Sequence, residues 1–375
     1  MALIPGDNVI LLPAKSGVKI AMPVRSANVP GNTGLLLNDS GGKRVVIKLA
    51  PVAPTDKIIS APDSGGKKIA VKCGGIVPNP PASWGIVYDF GSHGETIMSM
   101  EQHGALLYLG IYDDPVYSYD SSTGIFTPSI SIPGIIYPWT LKSSSDGFLY
   151  YGWGYGAIIN NGISRTLNGS SWAQVYDSGD PMIFVYSIEE HGGKLYGALH
   201  DYTGAGHTEI LESSDGVTWN TVYTSADNVW LYNLKSFGTN LYATVYVGGV
   251  AKLWRSTAGV IWTEPSATVN TLIGSSGSYA FAVGTTKLYR STDGATWVQV
   301  QDCAPGTPRC FCEIDDLLFV GSGVPEQVWY SEDDGATWAL SYDPGGSSYF
   351  IDLAVYNKRV YGITETVLYR SAEIK

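Results

Sequence analysis

The segment LYRSTDGATW at 288–297 is written again, nearly unchanged, as WYSEDDGATW at 329–338. Four more stretches follow the same outline: YSYDSSTGIF (117–126), SRTLNGSSW (164–172), LESSDGVTW (211–219) and LWRSTAGVIW (253–262). Their closing aromatics are Phe126, Trp172, Trp219, Trp262, Trp297 and Trp338, spaced by 35 to 47 residues. That period belongs to propellers and other repeat architectures. The residue types in each copy suit a tight β-turn. An Asp carboxylate folds back onto backbone N–H groups. Gly supplies a positive φ. Ser or Thr adds a hydroxyl to the same network, and Trp opens the next strand with a large surface to bury.

The pattern resembles the Asp-box, or BNR, repeat S-x-D-x-G-x-T-W. It fits most fully at Ser291, Asp293, Gly294, Thr296 and Trp297, and at Ser213, Asp215, Gly216, Thr218 and Trp219. In SEDDGATW the turn carries an extra residue, so Asp333 and Asp334 compete for the folding role, and Asp334 is assigned to the box. Ala258 and Asn168 replace or weaken the Asp in two other copies. The resemblance implies that each box joins the third and fourth strands of a propeller blade. It also implies a structural role, not a catalytic one.

The rest of each period repeats too. IMSMEQHGALLYLGIY (97–112), VYSIEEHGGKLYGALH (185–200), LYNLKSFGTNLYATVY (231–246) and IDLAVYNKRVYGIT (351–364) each read as a strand, a tight turn and an apolar pair. That is a β-hairpin, and the box supplies a second one. Four strands per period make a blade. After the last box the chain has three strands left and stops. The missing fourth is found upstream, where ASWGIVYDFGS (82–92) mirrors SSWAQVYDSGD (170–180). Residues 84–90 are therefore expected to pair with 367–371 and close the ring, which removes open sheet edges. The predicted fold is all-β, a seven-bladed propeller over 82–375.

The first eighty residues have their own repeat. NDSGGKRVVIKLAP (38–51) and PDSGGKKIAVKCGG (62–75) are offset by twenty-four residues, and AKSGVKIAMPV (14–24) is a degraded third copy. Each unit reads as two short strands around a Ser-Gly turn. Three such hairpins over 1–75 form a small β module that calls for a partner surface or self-association. A Pro-rich linker at 76–81 follows. Charge divides the chain in the same place. Residues 1–80 hold ten Lys/Arg and four Asp, a charge of +6; the rest hold thirteen Lys/Arg and thirty Asp/Glu, a charge of −17. Opposite signs point to two domains with different partners. The acidic part should repel nucleic acid, whose binding rests on neutralising phosphates. No apolar window is long enough for a membrane span, and no basic n-region precedes an apolar stretch at the start, so no signal peptide is expected.

Asp-box propellers include sialidases, which clamp a carboxylate with three arginines. Arg165, Arg255, Arg290 and Arg370 sit at or near the residue before the box serine, a blade-repeat position, and Arg309 and Arg359 cannot make a triad. Candidate glycosidase carboxylates are Asp113, Asp114, Asp201, Glu189, Asp352 and Glu365, but none forms a readable pair. His103 and His191 fall at equivalent hairpin positions. His200, Asp201 and His207 match no strong metal signature, and Cys73, Cys303, Cys310 and Cys312 read as buried thiols, since a zinc site wants four ligands at closer spacing. No catalytic residue, metal or cofactor is expected.

One pattern favours function. The connections between strands two and three, and from blade to blade, share one face and vary, while the opposite turns are stereotyped. The variable face carries Tyr112, Tyr137, Trp139, Trp153, Tyr155, Tyr202, Trp230, Tyr246 and Tyr349. Variable loops on a rigid scaffold are where binding sits, and Trp and Tyr stack on sugars or anchor proteins. The whole reads as a non-enzymatic appendage of a virion or other extracellular surface. Residues 1–75 would dock to the scaffold, and the propeller face would take a glycan or protein receptor. A purely structural decoration and a glycan-hydrolysing propeller are the alternatives.

Overall fold

The computed structural model describes residues 81, 83–93, 95–113, 116–130, 136–155, 161–202, 206–226 and 228–374, together with six N-terminal strands. The chain divides into two compact units, Met1–Val77 and Pro78–Lys375. In the first unit the six strands pair as three antiparallel hairpins: Asn8–Pro13 with Lys19–Val24, Gly34–Asn38 with Arg44–Lys48, and Ile58–Pro62 with Lys68–Lys72. Cys73 lies outside the described residues.

The second unit is a seven-bladed β-propeller. Blades one to six span 97–130, 136–177, 183–224, 229–263, 271–302 and 307–342; the seventh spans 352–371 and is completed from upstream. Strand Trp84–Asp89 pairs with Val367–Ser371, in the register Val367↔Asp89 to Ser371↔Trp84. The ring therefore closes with a strand from each end of the unit, as the sequence predicts. Among the described residues there is no α-helix, only one 3-10 turn at Phe90–His93.

The core lies between blades, not within them. Seven buried clusters each join two neighbouring blades, and the one containing Leu107, Tyr119, Tyr361 and Leu368 joins the first blade to the seventh. The apolar pair noted in the sequence is central to this packing. Its second member is Tyr108, Tyr150, Tyr196, Tyr242, Phe281, Phe319 or Tyr361 in successive blades, all at most 3% exposed. In five of them this aromatic runs under the box glycine of the next blade. A Cβ added at Gly169, Gly216, Gly259, Gly294 or Gly335 would strike Tyr108, Tyr150, Tyr196, Tyr242 or Phe281 respectively. These glycines also have φ between +66° and +76°, so backbone and packing both demand them.

The box turns are built as the residue types require. Asp293 Oδ1 accepts from the Ala295 and Thr296 N–H groups (2.8 and 2.7 Å), and Ser291 Oγ accepts from Gly294 N (2.8 Å). Asp215 does the same with Val217 and Thr218. Those bonds hold the Asp215 carboxyl down at about 2. In the sixth blade the folding carboxylate is Asp333, not Asp334 as assigned from the sequence. Asp333 binds Thr337 N and Oγ1 (2.8 and 2.7 Å), while Asp334 is the extra turn residue, at φ +56°. The inserted residue absorbs the left-handed conformation and leaves the first Asp in the cap position. Trp172, Trp262 and Trp338 each donate the indole N–H to the carbonyl of the box glycine. The repeated arginines tie one blade to the next: Arg165 Nη1 donates to the Asp215 carbonyl (3.1 Å) and Arg290 Nη1 to the Asp334 carbonyl (2.8 Å).

The fourth blade lacks the carboxylate. Its box has Ala258 where Asp belongs, and its fourth strand is reduced to a single bridge, Arg255↔Thr263. Ala258→Asp would return an acceptor to the N–H groups of Val260 and Ile261. Thermal unfolding of that variant is expected to show a gain of about 1 kcal/mol, the size of a typical capping interaction.

Candidate functional site: an aromatic funnel over a charged channel

The innermost strands surround the propeller axis, and five of them break register at the same place. Bulges fall at Met98, at Pro138 and Trp139, at Tyr186, at Tyr232 and at Arg309. A bulge re-aims a side chain that plain alternation would place elsewhere. Counting back ten residues from the strand-two aromatic, or eleven in the second blade, gives Met98, Trp139, Tyr186, Tyr232, Thr271, Arg309 and Ile351. All seven line one funnel of about 710 Å³. In the fifth blade the bulge falls two residues later, at Ile273.

The funnel has two kinds of wall. Trp139, Tyr186, Tyr232 and Tyr246 form an aromatic side, whereas the other blades bring Thr96, Asn270, Thr271, Thr285, Thr307, Arg309 and Glu365, interspersed with Ile97, Met98, Val283, Pro308 and Ile351. The aromatic side is part of a longer arc across blades one to four. Tyr112 lies 4.8 Å from Tyr137, which stacks on Trp139 at 5.6 Å with planes 8° apart. Trp139 meets Tyr186 at 4.7 Å, Tyr186 meets Tyr232 at 5.3 Å, and Tyr232 meets Tyr246 at 5.1 Å. Phe184, Tyr202 and Trp230 pack behind, and the Tyr186 and Tyr202 hydroxyls are hydrogen-bonded. Trp230 and Tyr246 are the most open members, at 39% and 40% exposed. Tyr349 stands across from the arc, its hydroxyl donating to Glu365 (2.7 Å) and its ring lying 4.2 Å under the Arg309 guanidinium.

Seven of the nine aromatics expected on this face are therefore in the arc or at the funnel. Trp153 is not: it is 4% exposed and belongs to the core between blades one and two, because its place on strand Leu149–Tyr155 turns it into that interface. The side chain of Tyr155 lies outside the described residues; its backbone pairs with Ile136. Sequence reading missed Phe184, Tyr186, Tyr232 and Arg309. Aligning the periods on the strand-two aromatic would have found three of the four.

Below the funnel, and sharing Trp139, Tyr186, Tyr232, Asn233 and Arg309 with it, is a polar channel of about 320 Å³. Opposite the strand-two aromatics, successive blades place Glu101, Lys142, Glu189 and Lys235. This is an alternating belt of charge. Blades five to seven carry Gly274, Cys312 and Ala354 at the same register. Lys142 Nζ meets Glu189 Oε2 at 3.1 Å. Burial pushes the Glu101 carboxyl up to about 7, against the pull of Lys142 and a hydrogen bond from Ser143 N (2.9 Å). Burial likewise raises Asp352, which faces Lys235 and accepts from Leu353 N (2.9 Å), to about 6. Both carboxyls are costly to charge there.

The remaining sequence candidates are scattered. Of the proposed glycosidase carboxylates, Glu189 and Asp352 line the channel and Glu365 the funnel rim. Asp113 is an exposed turn residue at φ +60°, and Asp114 lies outside the described residues. His103 and His191 occupy equivalent positions, with Nδ1 within 2.9 and 2.8 Å of Ser143 Oγ and Ser236 Oγ in the next blade. His207 sits 3.6 Å from Asp201 and from Glu209, while His200 is buried with both ring nitrogens unpartnered and is held down to about 4 by that burial. Among the described residues no group of His, Cys, Asp and Glu could hold a metal ion, and Cys303, Cys310 and Cys312 are free, buried thiols.

No protein-family model matches the chain, and no curated protein matches it. Its fold is shared with solved propellers at low identity. One is a catalytically inactive variant of virginiamycin B lyase from Staphylococcus aureus, solved with quinupristin: TM-score 0.60, 12% identity, covering 78% of this chain and 99% of that one. Another is the WD40 propeller domain of Doa1: TM-score 0.57, 10% identity, covering 78% and 98%. A chain of the mitotic checkpoint complex matches with TM-score 0.55 and 11% identity, over 81% and 97%. These likenesses define the class, a seven-bladed propeller, and nothing finer.

Proposed function

We propose that this protein is a non-enzymatic binding protein whose Asp-box propeller recognises a glycan through the funnel, carried on a virion or other extracellular surface by residues 1–75. The observation that carries the reading is the two-sided funnel. A sugar ring has apolar C–H faces and a polar hydroxyl edge, and the funnel sets an aromatic wall against a wall of Thr, Asn, Arg and Glu. Bulges repeated in five blades aim side chains into one cavity, which supports a binding role over bare decoration. Anchoring by the first unit is supported by its opposite charge and by its strand register. Leu35↔Ile47, Leu36↔Val46, Leu37↔Val45, Ile59↔Val71 and Ala61↔Ile69 pair apolar residue types along two hairpins. A two-stranded hairpin is marginal alone, so association with further copies or a scaffold would stabilise it.

The test uses the full-length chain on a glycan array, with its mass measured in the same preparation. Saccharide binding is expected from wild type. Trp139→Ala is expected to weaken it roughly 10- to 100-fold, the size of losing one stacking anchor. An array with no hits and a protein receptor captured instead removes the glycan reading, and saccharide binding that survives Trp139→Ala removes the funnel as its site. A monomeric mass with no retention on particles removes the anchor.

A further inference from the structure

We infer that the saccharide received by the funnel carries an isolated acidic sugar, whose carboxylate is bound by Arg309. This inference rests on the glycan reading above. Arg309 is the only charged member of the seven residues that ring the funnel, and it stands on the sixth blade, across the ring from the aromatics of blades two and three. A sugar stacked on Trp139, which the buried Tyr186 backs, would therefore present its far edge to the guanidinium.

The guanidinium is fixed and unspent. It rests 4.2 Å over the Tyr349 ring, and Tyr349 is itself held by its bond to Glu365. Lys142, Lys194, Lys252 and Arg359 meet carboxylates, and Arg165 and Arg290 donate to box carbonyls. Among the described residues Arg309 has no carboxylate within ion-pair distance and lines both funnel and channel, whereas Lys235 stands in the channel belt and faces Asp352. From residue 81 onward carboxylates outnumber Lys and Arg by thirty to thirteen. In such a field Arg309, exposed on the funnel wall and outside any ion pair, marks a place where an anion can be received. Arg presents a planar fork that matches a carboxylate. The same field argues for one acid on an otherwise neutral chain. A polyanion would be repelled by the −17 surface around the site.

The experiment is titration calorimetry of the full-length chain with three probes: a neutral trisaccharide, the same trisaccharide capped with glucuronate, and heparin. The capped probe is expected to bind roughly 10- to 100-fold more tightly than the neutral one, the usual range for a hydrogen bond to a charged group. Arg309→Gln is expected to erase that difference, the capped and neutral probes then binding alike. Equal affinity for capped and neutral probes, or a preference that survives Arg309→Gln, overturns the inference. If the neutral probe then still depends on Trp139, the glycan reading stands without it. No binding of any saccharide removes both. Tighter binding of heparin than of the capped probe overturns the isolated-acid form.

Discussion

Gly294→Ala is expected to destabilise the propeller by about 3 kcal/mol, seen as a fall of ~5–10 °C in the apparent melting temperature. Two costs add. The residue has φ +66°, where an L side chain is strained. The new methyl would also land on the Tyr242 hydroxyl, which belongs to a side chain 1% exposed and locked between blades. Gly277→Ala separates the two. It has φ +52° with open space around its Cβ position, so only the backbone cost of about 1 kcal/mol is expected there. If the two variants melt together, the box glycine is kept for its φ alone and the interblade packing argument fails. The same comparison bears on the whole repeat, since Gly169, Gly216, Gly259 and Gly335 stand over the matching aromatics of their own preceding blades.

That repetition is why the fold was legible. Turn residues at a fixed offset, a closing Trp and an apolar pair each impose local geometry, and seven copies make the local signals agree. The closing strand could be found because residues 82–92 repeat the residue types of 170–180. The candidate site was half legible. Tyr137, Trp230 and Tyr246 lie near strand ends, and Trp139 stood out as a Trp beside Tyr137. Tyr186 and Tyr232 did not, because alternation along a strand gives no hint of a bulge, and each looks like an ordinary core residue. Trp153 failed in the opposite direction: on sequence it sits among exposed aromatics, yet its strand turns it inward. The charged channel was invisible for a third reason. Glu101, Lys142, Glu189 and Lys235 are spread over 135 residues of sequence, and only the blade register brings them to one belt. In Asp333 and Asp334 the residue type was right and the turn length decided which one folds.

Between pH 4 and pH 7 the propeller is expected to lose stability as the pH rises, by about 1–3 kcal/mol. The cause is the channel. Glu101 and Asp352 titrate near 7 and near 6 in the folded state, above ordinary values of 4.5 and 3.8. The native state therefore holds protons that the unfolded chain has already released, and the stabilisation present below the unfolded values is lost as pH climbs through the folded ones. Glu101 is faced by Lys142, Lys235 and Asp352, and Asp352 by Lys235 and Lys142, with Glu189 and Arg309 on the same channel wall. The lysines reduce the penalty, and solvent contact along the channel screens it further, which is why the expected loss is well below the sum of the two shifts. The box carboxylates act with the opposite sign in a lower window. Asp215 and Asp293 are held below their ordinary range by turn N–H groups, so their contribution is lost as the pH falls below 4. Maximum stability is then expected near pH 4–5, below the neutral range. Melting curves of the full-length chain in steps from pH 3 to pH 8 give the profile, and Glu101→Gln decides the cause. The variant should flatten the limb between pH 4 and pH 7 by about half and leave the acid limb unchanged. A limb that is unaltered by Glu101→Gln would mean that the channel carboxyls are charged and paired at neutral pH, and that the belt is a closed set of ion pairs.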